Sequence, residues 1–132
     1  MNKKIEFWKE EFEFLEADDR LVYLIDMAKK STSLPAEMRT PDRLVKGCMS
    51  QIWIDVGVKD DLVNVYYDSD ALLTKGLTCI VADCFSGIPL EEARTITKAD
   101  INELGIDELL TSQRRNGLAN LVGTITAKIQ QL

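Results

Sequence analysis

Between residues 3 and 16 the apolar positions Ile5, Trp8, Phe12 and Leu15 recur three or four apart among Lys and Glu. That period brings them to one face, so the stretch predicts an amphipathic helix. Asp18 or Asp19 stands where a second helix would be capped, with Leu21, Val22, Leu24, Ile25 and Ala28 as a broad apolar face ending near Lys30. STSLPAEMRTP, residues 31–41, is rich in Ser, Thr and Pro and reads as a loop. The period then changes. QIWIDVGV, residues 51–58, is dense in β-branched and aromatic types, and LVNVYY, residues 62–67, alternates. The KDDL between them leaves room only for a turn, so the two are expected as an antiparallel hairpin. A short segment at residues 43–46 is expected to pair beside the first strand, with Gly47 and Cys48 making the bend.

The next helix reads DALLTKGLTCIVADCF, residues 70–85. Asp68 or Ser69 would cap it, Asp70 would favour its first turn, and Gly87 would stop it. It is apolar nearly all round and should be the most buried helix. Residues 89–95 and 98–104 read as short helical turns, with another at 107–110. A final helix over residues 112–130 carries Leu118, Leu121, Val122, Ile125 and Ile129 on one stripe. Arg114 and Arg115 sit in its first turn, where the positive helix end disfavours cations. Two arginines there suggest an anionic partner. A small antiparallel sheet must bury one face, and helices are the only material to cover it. The expected fold is therefore a two-layer α+β arrangement forming one domain over residues 1–132.

Composition narrows the function classes. A chain of 132 residues supports one core, and no apolar run approaches the length of a membrane span. The N-terminus has no apolar signal region, so a cytoplasmic location is expected, without a membrane partner. A net charge of −6 argues against nucleic acid as a partner. Histidine is absent, which excludes His-containing zinc sites and His-based triads. The three cysteines, Cys48, Cys79 and Cys84, form no CxxC pair.

Cys79 and Cys84 lie five apart in the apolar helix, on different faces, and read as small buried hydrophobes. Cys48 differs. It follows Lys46 and Gly47 and precedes Met49, Ser50 and Gln51, a polar loop setting that fits an accessible thiol. Gly47 permits a tight backbone, and Lys46 is a candidate for lowering the thiol pKa. Lys75 reads as a lysine whose stem packs and whose head reaches solvent. Turn and capping roles explain most of Asp55, Asp60, Asp61, Asp68 and Asp70, with a metal site as the alternative, and Trp53 and Tyr66 read as sheet core rather than a stacking platform.

Four blocks carry a family resemblance: DDRLVYLIDMAKK with the following LP, VKGCMSQIW, DSDALLTKGL with the following SG, and TSQRRNGLANLV. In this order the chain resembles the SufE family, sulfur acceptors that work with cysteine desulfurases in iron–sulfur cluster assembly. The resemblance implies a curved three-stranded antiparallel sheet packed against helices, and a loop cysteine, here Cys48, that accepts persulfide sulfur and stimulates the desulfurase. It implies an accessory protein rather than an autonomous enzyme, with no cofactor of its own; the pyridoxal phosphate belongs to the desulfurase. The implied partners are that desulfurase and a downstream iron–sulfur scaffold complex, with a homodimer left open.

Arg114 is the candidate for stabilising thiolate or persulfide charge or for positioning the loop. Lys46, Gly47, Ser50, Asp70 and Lys75 are candidates for partner contact or loop support. Departures from the family pattern at Arg43, Leu44, Met49 and Arg115 touch partner choice and loop geometry. An iron–sulfur scaffold, the alternative, would need several thiolates converging on iron. A regulatory binding partner that transfers no sulfur is the third reading.

Overall fold

Helix α1 spans Lys3–Glu13, with the Asn2 side chain capping it by accepting from the Lys4 N–H at 2.7 Å. It buries Ile5, Trp8 and Phe12, the stripe its spacing predicts. The computed structural model describes residues 2–30, 34–48, 50–106, 108 and 110–132. Helix α2 spans Ala17–Lys30, so Asp18 and Asp19 lie inside its first turn rather than capping it, where their charge favours the positive helix end. Its buried face is narrower than the broad apolar face expected: Leu24 and Ala28 are buried, while Val22 is exposed.

The hairpin forms where the change of period predicts it. Strand β1 is Ile52–Lys59 and β2 is Leu62–Ser69. Asp60 and Asp61 both take positive φ, 55° and 65°. That is the backbone of a two-residue turn matched to the strand twist, and Asp tolerates it better than most residues. The register sets Ile54 opposite Tyr67 and Val56 opposite Val65. On the other face Trp53 lies opposite Asp68 and Asp55 opposite Tyr66.

A third strand at residues 43–46 does not form among the described residues. The sheet has two strands, with single bridges at its edges, Leu44 to Trp53 and Leu62 to Pro89. The Val45 N–H does reach the Ile52 carbonyl at 2.8 Å. Extension stops there because Pro41–Arg43 winds into a 3-10 turn on one side and Lys46 and Gly47 turn on the other. The Trp53 and Tyr66 expectation also fails: Tyr66 is exposed, and Trp53 is half-buried beneath the Arg39 guanidinium, 5.6 Å from its ring centre.

Helix α3, Leu72–Phe85, is buried almost continuously from Gly76 to Phe85. It packs on β2, with α2 and α1 against it. A Cβ at Gly76 would lie 2.0 Å from the Leu24 backbone oxygen, so only glycine lets α2 and α3 approach this closely. Trp8 donates from Nε1 to Asp83 at 2.9 Å and Lys4 pairs with the same carboxylate at 3.1 Å, which ties α1 to α3. Helices α4, Leu90–Ala93, and α5, Lys98–Asn102, are shorter than predicted. The turn expected at residues 107–110 falls partly outside the described residues. Helix α6, Ser112–Gln130, packs on β1 and buries the predicted stripe of Leu118, Leu121, Val122, Ile125 and Ile129. No described helix is long and apolar enough to cross a membrane.

Candidate functional site

The segment from Leu44 to Gly47 delivers Cys48 to the seam between β1, α3 and α6. Gly47 takes φ of +81°, the left-handed conformation that glycine adopts freely. This turns the chain so that Cys48 Sγ points inward and donates to the Gly117 carbonyl of α6 at 3.4 Å. Asn120, one helical turn further on, donates from Nδ2 to the Gly47 carbonyl at 3.0 Å. A Cβ on Gly47 would lie 2.3 Å from that nitrogen. The exit from the loop is held separately: the Gln51 N–H donates to Asp70 Oδ1 at 3.0 Å, and Ser69 Oγ donates to the Gln51 carbonyl at 2.8 Å.

Cys48 is half-buried in the wall of a cavity of about 200 Å³. Ile52, Leu77, Leu118 and Leu121 give the cavity its apolar lining, and Ser50, Thr74, Gln113 and Arg114 its polar part. Its volume far exceeds the roughly 15 Å³ that one water needs, so the thiol has room for a further sulfur. Burial pushes the Cys48 thiol pKa up. The expected lowering by Lys46 is not found: Lys46 is exposed on the turn, and no neighbouring charge offsets the desolvation.

Of the sequence-predicted residues, the structure brings Cys48, Ser50 and Arg114 to one cavity. Ser50 accepts from Thr74 Oγ1 at 3.4 Å, which ties the loop to α3. Arg114 lies in the first turn of α6, where its own N–H donates to the capping Thr111 hydroxyl at 3.4 Å. Its exposed side chain borders the cavity beside Gln113. Asp70 does not open α3: the N-cap is Ala71, without a side-chain cap, and Asp70 serves the Gln51 amide instead. Neither Asp68 nor Ser69 caps that helix.

Asp68 is 2% exposed and forms ion pairs with Lys75, at 3.6 Å, and with Arg39. Lys75 is thus an ion-pair partner inside the fold rather than a lysine reaching freely into solvent. Arg43 secures the approach to the loop, donating to Thr40 Oγ1 at 2.9 Å and pairing with Asp55 at 3.6 Å. Sequence reasoning missed Gln113, Thr74, Thr78 and Asn120. Thr74, Gln113 and Asn120 lie inside the blocks that carry the family resemblance, but neither their type nor their spacing singles them out.

Cys79 and Cys84 are buried in α3, and neither lines the Cys48 cavity. Burial, helped by Asp83, pushes the Cys84 pKa up to about 12. Burial also raises that of Cys79, against the lowering effect of a Tyr67 hydrogen bond. No group of three or more Cys, Asp or Glu among the described residues is arranged to hold a metal ion.

A helix-covered hairpin with a half-buried thiol on its incoming loop defines a small α+β thiol domain. The chain belongs to the SufE family: residues 6–129 match the SufE, Fe-S metabolism associated, domain. It is 36% identical over 122 residues to an uncharacterized SufE-like protein of Rhizobium etli, covering 88% of this chain and 82% of that one. A SufE-like protein of Rhizobium meliloti is 35% identical over 127 residues, covering 92% and 91%. The chloroplastic/mitochondrial SufE-like protein 1 of Arabidopsis thaliana is 35% identical over 111 residues, covering 83% of this chain and 30% of that longer protein. The solution structure of a hypothetical protein from Thermus thermophilus shares the fold, with a TM-score of 0.84 at 19% identity, covering 99% of this chain and 96% of that one.

Proposed function

We propose that the chain is a sulfur acceptor and carrier in iron–sulfur metabolism, working with a pyridoxal-phosphate-dependent cysteine desulfurase. The single observation that carries the reading is the Cys48 thiol, hydrogen-bonded to the Gly117 carbonyl in a cavity with room for another sulfur. Cys48 attacks as thiolate at the outer sulfur of the desulfurase persulfide. A new S–S bond forms to Cys48, the donor S–S bond breaks, and the donor cysteine leaves as thiolate. The reaction exchanges one persulfide for another, so no external oxidant or reductant enters. Cavity walls that hold the product protect Cys48–S–SH from oxidation and premature release. Arg114 borders the cavity but does not offset the desolvation of the resting thiol; its role in this reading is to meet the persulfide once formed or to position the loop. A scaffold would require converging soft ligands. Two of the three cysteines are buried in α3, which favours the carrier over the scaffold.

Intact mass after incubation with a cysteine desulfurase, pyridoxal phosphate and L-cysteine tests the proposal. The expected result is a reductant-sensitive gain of one sulfur, about 32 Da, on wild type and none on Cys48→Ser, as thiol exchange requires. No gain from an active desulfurase in a demonstrated complex would leave a regulatory binder in place of a carrier.

A further inference from the structure

We infer that Asn120 is a latch on the Cys48 loop: it positions the thiol by holding the Gly47–Cys48 peptide against α6, and the loop opens when that bond is given up. The inference deepens the proposed function and rests on it only for its biological use. The geometry is specific. The Asn120 amide holds the carbonyl of the peptide bond that leads into Cys48, at 3.0 Å, while Gly117 holds the sulfur at 3.4 Å. Both contacts come from one helical turn of α6, so the loop is stitched to the helix at backbone and side chain together.

The two stitches differ in kind. The Gly117 carbonyl is part of a helix backbone and is buried. Asn120 is exposed, so water or a docking surface competes directly for its amide. A bond on an exposed side chain is the one a partner can lift without disturbing the core. The match with Gly47 is close: any side chain there would meet Asn120 Nδ2, at 2.3 Å from its Cβ. The latch in this position therefore requires a residue without a Cβ at 47, and the left-handed φ favours the same residue. Asn120 does not line the cavity, so its effect on the thiol is through the loop.

Alkylation of Cys48 by iodoacetamide, followed by intact mass, reads the open state without any desulfurase. Asn120→Ala should speed Cys48 labelling roughly 2- to 10-fold, the population change expected on losing one neutral hydrogen bond. Asn120→Asp should do the same, since a carboxylate cannot donate to the Gly47 carbonyl. Gly47→Ala, which disrupts the same contact from the other side, should also speed labelling. Its further effect should shrink in the Asn120→Ala background, where the clash with the amide is gone and only the backbone strain at φ of +81° remains. Cys79 and Cys84 should stay unlabelled throughout, which reports an intact fold. Wild-type labelling rates in both Asn120 variants would overturn the latch. So would a rise shared by Cys79 and Cys84, because that is general loosening. Failure of sulfur loading in the mass experiment would overturn the carrier reading and leave this result untouched.

Discussion

Asp70 Oδ1 accepts the Gln51 N–H at 3.0 Å, so a carboxylate at the end of the hairpin fixes the residue at which the Cys48 loop passes into β1. The contact spans 19 residues of sequence and belongs to tertiary structure, although DSDA reads locally as a helix cap. Asp70→Ala should free the loop exit, lower stability by about 1 kcal/mol, and speed Cys48 alkylation several-fold. Asp70→Asn keeps an acceptor oxygen and should stay near wild type. Urea titration together with labelling rates checks both arms. Unchanged labelling in Asp70→Ala would mean that the exit does not control the thiol.

The Asp70 case illustrates what a sequence reveals here. Helices α1 and α6 were legible because their apolar period is local, and α3 because its long, nearly all-round apolar run ends at Gly87. The hairpin was legible because strand-forming runs flank a turn too short for anything else. The third strand was not, since its extension depended on how Pro41–Arg43 would wind. Burial of Asp68 was equally hidden, because its partners Arg39 and Lys75 come from segments distant or on another element. Cys48 stood out through its loop setting and its block resemblance. Gln113 and Asn120 look like ordinary exposed helix polar residues until α6 is docked beside the loop.

The α2–α3 contact offers a stability test remote from the thiol. Gly76→Ala would set a methyl 2.0 Å from the Leu24 carbonyl oxygen, and a backbone atom in a packed helix cannot swing aside. The expected loss is about 3 kcal/mol or more, from forced separation of the helices. Gly57→Ala is the matched control, because a Cβ there meets nothing within 4 Å. It should leave stability unchanged or raise it by about 0.5 kcal/mol. Thermal melts of the pair decide the matter, and similar melting temperatures would refute the close-approach argument.

Asp68 anchors the strap formed by residues 34–43. Leu34 donates to the Tyr67 carbonyl at 2.8 Å, and Arg39 then reaches Asp68 over Trp53. Asp68→Ala removes the buried carboxylate shared by two cations. The half-buried Lys75 loses this partner, and stability should fall on the order of 3 kcal/mol. Arg39→Ala should cost less, about 1 kcal/mol, because the Arg39 side chain is 40% exposed and water screens its pair. Equal losses in urea titrations of the two variants would show that the strap, rather than the buried charge, dominates.

The pH dependence of Cys48 follows from its burial. Its folded pKa lies above the ordinary thiol value of 9.0 because desolvation penalises the thiolate. Folding therefore holds the proton more tightly than the unfolded chain does. The stability this group contributes is fully present below the unfolded pKa and is lost as pH rises through the folded one. Reactivity runs the opposite way: the alkylation rate should climb with pH and reach its midpoint above 9.0. In Asp70→Ala the freer loop exposes the thiol, so the midpoint should fall toward 9.0 while the maximal rate rises. Cys84, with a pKa pushed up to about 12, should stay silent over the same range. Initial rates of iodoacetamide labelling between pH 7 and 10.5 (about the upper limit before lysines discharge) give the profile. A wild-type midpoint below 9.0 would mean that Arg114 or Lys46 outweighs desolvation, and the thiol would then be poised as thiolate before any partner docks.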